Sequence, residues 1–355
     1  MSPHPPSRAG APRSVVLRSA GDSLSLRIRL RPVGVGALLL ALVCACSAAA
    51  LSLGDYLVPP GDLADALLGR SSQAVRTVVV EWRLPRVLAA AVFGAALGIS
   101  GAVFQSLTRN PLGSPDVIGF NTGAYTGVLF VMLWGGSGYL TIGAGALAGG
   151  VATALAVYVF AFRRGVQGFR FIIVGIAVSA ILTSLNTWLT VKADVGFALH
   201  AAVWGAGTLN GVTWPLVWSA LAVMAVLCAA VAALAPRMRQ LELGDDTAAA
   251  QGLDVERTKV WMIVVGVAFT ALVTAAAGPV AFVALAAPQV ALRLTRAGSS
   301  VALGTSALVG AVLLSGADLI AQHAFAGMSL PVGAVTVCVG GLYLLWLLAR
   351  EAKRS

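Results

Sequence analysis

Long runs without a single charge constrain this chain more than any other feature. Pro32 to Gly54, Val87 to Thr108, Phe171 to Val191, Ser299 to Ala317 and Pro331 to Ala349 each carry none. A helix needs about 20 apolar residues to cross a hydrocarbon core, so each reads as one span. Val117 to Phe162 is uncharged for 46 residues, enough for two spans with a turn at 135–138. A loop at 195–213 leads to a span that starts near Trp214 and ends by Pro236. Val260 to Leu292 holds 33 uncharged residues, about 50 Å as one helix. Proline removes a backbone donor and clashes with the preceding turn, so Gly278-Pro279 divides it into a long span and a short one. The pattern predicts an all-α bundle of ten transmembrane helices over residues 32–349. A basic, disordered tail (1–31) precedes it and a short basic tail (350–355) follows.

Charge distribution orients the bundle. With the N-terminus inside, only Arg70, Arg76, Arg83, Arg86 and Lys192 fall outside, leaving 19 of the 24 Lys and Arg in cytoplasmic segments. Such an excess marks the cytoplasmic side and requires both termini there. It also explains the net charge of +10 without a nucleic-acid partner. Charged residues make up 11% of the chain, against about 25% in soluble domains. Within the spans, Ala90, Gly94, Gly98 and Ala102 recur every fourth residue, as do Gly145 and Gly149. Such ridges of small residues let helix backbones approach in lipid.

The chemistry an enzyme needs is missing. His4, His200 and His323 sit far apart, and no H-E-x-x-H or G-x-S-x-G occurs. Cys44, Cys46, Cys228 and Cys338 lie in apolar runs with no further ligands nearby in sequence, so no metal site or cofactor is expected. No G-x-x-x-x-G-K-[ST] is present, so ATP and Mg would belong to another chain. An ion-coupled carrier needs an ionisable group deep in the membrane. Asp318, late in the ninth span, is the acid nearest a span interior, and it reads better as a capping or packing group.

The longest cytoplasmic loop, 237–259, has internal design. Gly244-Asp245 can start a short helix, with Asp245 accepting from free N–H groups of its first turn. Gly252 suits the left-handed position past its end. A short helix under the membrane is what a permease offers a motor, although an ordinary surface loop fits the same residues.

Taken in order, Arg83-Leu-Pro-Arg86, the stretch Gly98 to Gly119 with Asn110-Pro-Leu112 at its centre, Leu241 to Gly252, Ala277 to Pro288, Ala317-Asp318 and Leu330-Pro-Val-Gly333 resemble the FecCD family of ABC importer permeases. The match spans roughly residues 33–349 and is closest to the ferric-enterobactin branch; Gln289 stands where many members carry His. The resemblance implies a type II importer permease for ferric siderophores of catecholate type. It would pair with a second, homologous permease, two copies of a cytoplasmic ABC ATPase and an extracytoplasmic siderophore-binding protein. Haem or cobalamin is the alternative cargo, and an ion-coupled secondary transporter the alternative class. It further implies binding-protein docking by Arg83 and Arg86 and a cytoplasmic gate at Asn110, Leu112, Gly168 and Phe169. The ATPase-coupling helix would involve Leu243, Gly244, Asp245, Asp246, Thr247, Ala248, Gln251 and Gly252.

Overall fold

A computed structural model describes residues 14–18, 25–54, 56–116, 118–136, 138–162, 168–296, 302–325 and 329–352. His4, Arg163, Arg164 and the last three residues of the basic C-terminal tail lie outside them. In the N-terminal tail, expected to be unstructured, β1 (Ser14–Arg18) and β2 (Ser25–Arg29) pair antiparallel, with Val15 opposite Ile28 and Leu17 opposite Leu26. The alternating pattern of β2, Ser-Leu-Arg-Ile-Arg, suits a strand.

The rest is helical. α1 (Leu30–Ser52) leads to α2 (Pro60–Leu67) and α3 (Gln73–Arg76). A π-helical turn, Thr77–Arg83, joins α3 to α4 (Leu84–Thr108), making one continuous rod. Then come α5 (Phe120–Leu133), α6 (Tyr139–Ala161), α7 (Gly168–Lys192), α8 (Val195–Gly205) and α9 (Trp214–Leu241). After these stand α10 (Asp245–Ala250), α11 (Val255–Ala277), α12 (Val283–Thr295), α13 (Leu303–His323) and α14 (Val332–Ala352). Seven of the helical segments among the described residues are long and apolar enough to cross a membrane, and α5, α8, α12 and part of α14 are shorter apolar helices. Leu140, Val226 and Leu155 are 82%, 69% and 60% exposed, so the flanks of the bundle are apolar and suited to lipid.

Three boundaries differ from the sequence reading. The loop expected at 195–213 is helical in its first half, because Asp194 caps α8 by accepting from the Phe197 N–H. α9 continues through Pro236 to Leu241. The second span begins well before Val87, as the rod already starts at Gln73. The turn at 135–138 and the break at Gly278 fall where expected, with Gly135 at φ 78° and Gly278 at φ 73°. At that break Thr208 N–H donates to Ala277 C=O (2.7 Å), so part of the freed backbone is satisfied from a neighbouring loop.

α4 lies at the centre. It packs against α13, α11 and α12, and Phe93, Leu97 and Phe104 on it are fully buried. The predicted ridge is where α4 meets α13: a methyl on Gly94 would collide with Gly310 C=O, and one on Gly98 with Ser306 C=O. Gly101 lies equally tight on Ala284 of α12. The second ridge seats Gly145 and Gly149 of α6 against Gly127 and Gly123 of α5. Forcing added volume into such contacts costs about 1–3 kcal/mol or more. Gly98→Ala is therefore expected to lower the midpoint of thermal unfolding in detergent. Gly34→Ala, with open space around it, is expected to leave it unchanged.

Candidate functional sites at the two ends of the bundle

The predicted site residues gather at opposite ends of the bundle. One end holds Arg83 and Arg86, and both guanidinium groups turn inward. Arg83 Nη1 donates to Leu51 C=O and Nη2 to Tyr56 C=O, both at 2.7 Å, so it holds the end of α1 and the loop after it. Arg86 makes a forked contact with Asp318 on α13, with Nη2 to Oδ1 at 2.8 Å and Nε 3.1 Å from both oxygens. Its remaining nitrogen donates to Asn210 Oδ1 (2.6 Å), and Gln322 Nε2 donates to Asp318 Oδ2 (2.7 Å). Asp318 is 2% exposed and Arg86 18%. The packing role expected of Asp318 thus has a definite partner. A buried carboxylate left without its cation is costly.

The other end holds α10 and the Asn110 turn. α4 stops at Arg109, which adopts a left-handed conformation (φ 49°). Asn110 follows: its C=O accepts from Gly113 N–H and its Oδ1 from Leu112 N–H, both at 2.9 Å. Asn110-Pro111 thus forms a turn that ends α4. Leu112 is 56% exposed, and Phe169, at the start of α7, is 77% exposed. Pro111 C=O accepts from Gln289 Nε2 of α12 (3.1 Å), and that same amide nitrogen lies 2.8 Å from Gln105 Oε1.

The short helix forms where expected. Gly252 sits at φ 84° just past its end, with its N–H on Ala249 C=O. Gly244 at φ 109° precedes it, in a region that side chains rarely enter. Ala248 is buried against the bundle, while Leu243, Asp246, Thr247 and Gln251 are exposed. Asp245 does not cap the helix, contrary to expectation. Its Oδ1 accepts from Arg109 Nη2 (2.5 Å) and its Oδ2 from Lys259 Nζ (2.7 Å). Two nearby cations outweigh a backbone N–H for one carboxylate. Burial opposes ionisation of Asp245, but the hydrogen bond and charge of Lys259, together with Arg109, hold its carboxyl below the ordinary aspartate range. A depressed carboxyl stabilises the fold above its unfolded-state range, so this contribution persists at neutral pH and is lost only under acid conditions.

Two further features escaped the sequence. Asp116, in the loop between α4 and α5, accepts from Asn121 Nδ2 and from the Phe282 N–H at the start of α12. An open pocket of about 660 Å³ lies between α5, α7 and α8, where Asn121, Asn186 and Thr190 stand among apolar neighbours such as Val191 and Ala202. No group of three or more His, Cys, Asp or Glu suited to a metal occurs among the described residues.

The model of the FecCD transport family matches residues 38–350. The chain is 50% identical over 290 residues to the ferric enterobactin transport system permease protein FepG of Escherichia coli (strain K12), covering 82% of this chain and 88% of that one. It is 33% identical over 303 residues to the probable siderophore transport system permease protein YfhA of Bacillus subtilis (strain 168), covering 83% and 88%. A solved inward-facing metal-chelate type ABC transporter shares the fold, at TM-score 0.81 and 22% identity, covering 90% of this chain and 99% of that one.

If the Arg86–Asp318 contact is a fold element, its two halves are coupled. Arg86→Met and Asp318→Leu should each lower thermal stability in detergent, and the double variant should lose less than the sum. The expected coupling is about 1 kcal/mol or more; strict additivity would remove the pair from the account.

Proposed function

This chain belongs to the FecCD transport family, and from that premise we propose that it is the permease subunit of an ATP-driven importer of ferric siderophores. The observation that carries the reading is half-identity to a ferric enterobactin permease along most of both chains. A cargo of that catecholate type follows from it. In this reading the chain sits in the cytoplasmic membrane and hydrolyses nothing itself; ATP and Mg are bound by a separate ATPase.

Ten crossings are proposed, made by the seven long segments together with α5, α12 and α14, while α8 lies along one end. The end with α10 then faces the cytoplasm with both termini, in keeping with its basic loops. α10 is proposed as the seat of the ATPase, offering exposed Leu243, Asp246, Thr247 and Gln251. Leu112 and Phe169, exposed here, are proposed to meet their counterparts on a homologous second permease and close the cytoplasmic gate, with Asn110 and Gly168 shaping it. α7 supports the same pairing: Thr183 and Thr187 bond back to their own helix, leaving a surface that mixes hydroxyls with exposed Ile176 and Ile181. Such a face suits a partner helix and a polar path better than lipid.

Binding-protein docking at the opposite end is proposed to involve Arg83 and Arg86, with a qualification from geometry. Both already hold intrachain partners, so they shape the docking surface as well as charge it. An ion-coupled carrier fits less well. Asp318 is tied to Arg86 and Gln322 within the chain, and Asp116, which burial pushes up to about 7 against the Phe282 N–H, lies in the loop between α4 and α5 rather than in a span.

In proteoliposomes holding both permeases and the ATPase, ferric enterobactin uptake should require ATP and the binding protein. The chain alone should show no uptake driven by a proton or sodium gradient, and gradient-driven uptake would reverse the class assignment. Gly252→Val meets open space but a backbone that resists it. It should leave insertion intact yet abolish the rise in ATP hydrolysis on cargo loading, and normal stimulation would remove α10 from the coupling role.

A further inference from the structure

The turn that closes the cytoplasmic end is joined to α10 by one side chain, and that side chain stands at an unusual backbone position. A helix that ends on a left-handed residue normally ends on glycine, because a Cβ is disfavoured there. α4 ends on Arg109 at φ 49°. Strain of this kind persists where the surroundings over-determine it, and it points to use. The use is visible in what the side chain reaches. Arg109 Nη2 donates to Leu241 C=O at the end of α9 (2.8 Å) and to Asp245 Oδ1 at the start of α10. It thereby spans the two ends of the 242–244 linker that carries α10. The residue directly after it in sequence, Asn110, forms the turn that presents Leu112. On the turn's far side Gln289 of α12 holds Pro111 C=O.

We propose that Arg109 is the positioning residue that transmits movement of α10 to the Leu112 turn. The chain of contacts runs α10, Asp245, Arg109, Asn110, Leu112. Its links are one charge-paired hydrogen bond (Asp245–Arg109), one peptide bond (Arg109–Asn110) and one hydrogen bond within the turn, from Leu112 N–H to Asn110 Oδ1. Lys259, bonded to the other oxygen of Asp245 and 9% exposed, fixes the carboxylate from α11, so that the pair moves as a unit with the start of that helix. This proposal rests on the assignment of α10 as the ATPase seat.

The test uses the whole transporter: both permeases, the ATPase and the binding protein in proteoliposomes. Arg109→Gly deletes the link while giving the backbone the residue its conformation favours, so loss of folding is not the expected result. Cargo transported per ATP hydrolysed should fall about tenfold, within the usual span of coupling between sites, with the complex assembled and its melting midpoint not lowered. Asp245→Asn, which keeps the shape and removes the charge, should fall in the same sense, and Arg109→Lys should recover part of the loss. A merely structural role would lower stability and leave the transport-to-hydrolysis ratio alone. A cysteine at the exposed Thr247 position, cross-linked to the ATPase, separates the two ideas. If the cross-link forms and Arg109→Gly and Asp245→Asn keep the normal ratio, Arg109 transmits nothing, although α10 remains the seat. If no cross-link forms, the seat is wrong and the proposal falls with it.

Discussion

Close approach of helix backbones along α4 is the constraint on which the rest depends. In lipid, two apolar helices gain little by hiding from their solvent, because the tails are as apolar as the side chains. What remains is contact at short range and polar groups satisfied inside the protein. α4 supplies the first through Gly94, Gly98 and Gly101, each set against a backbone carbonyl of α13 or α12. Ser100 supplies the second, donating to Gly266 C=O of α11 at 2.7 Å. With α4 fixed at the centre, both of its ends are placed. Arg86 comes opposite Asp318 because α13 is held along the same face, and Arg109 comes over Asp245 because α4 stops level with the start of α11.

Much of this architecture was legible because its signals are local. Uncharged length marks spans, Gly278-Pro279 marks a break, and a four-residue spacing of small side chains marks a contact face. Gly252 was expected to be left-handed, and it is. Most of what the sequence leaves unread depends on residues distant in the chain. Arg86 and Asp318 are 232 positions apart, and Arg109 and Asp245 are 136 apart. Sequence order gives no measure of such a meeting, so from sequence alone Asp245 points to the nearest donors, the N–H groups of its own helix. Gln289 reads in the sequence only as a departure from the resemblance. Its contact with Pro111 supplies a physical content that the departure alone lacked. The helicity of α8 was a local signal overlooked: Asp194, three residues before the N–H it caps, is an ordinary helix start.

The two ends solve different problems with the same chemistry. At the Arg83–Arg86 end both guanidinium groups are partly buried and bonded within the chain, tying α4 to the end of α1, to the loop after it and to α13. At the α10 end Arg109 and Asp245 remain 48% and 40% exposed. An exposed pair contributes little to stability, so its value lies in the connection it makes.

The central claim is that this chain works as one half of a permease pair mounted on two ATPases. Native mass spectrometry of the tagged chain, extracted gently from the membrane in which it is made, tests that claim most directly. The account predicts one dominant species holding this chain, one homologous permease and two copies of an ABC ATPase. Recovery of the chain as a monomer or a homo-oligomer without any ATPase, under extraction that preserves a known ABC importer in parallel, would contradict it.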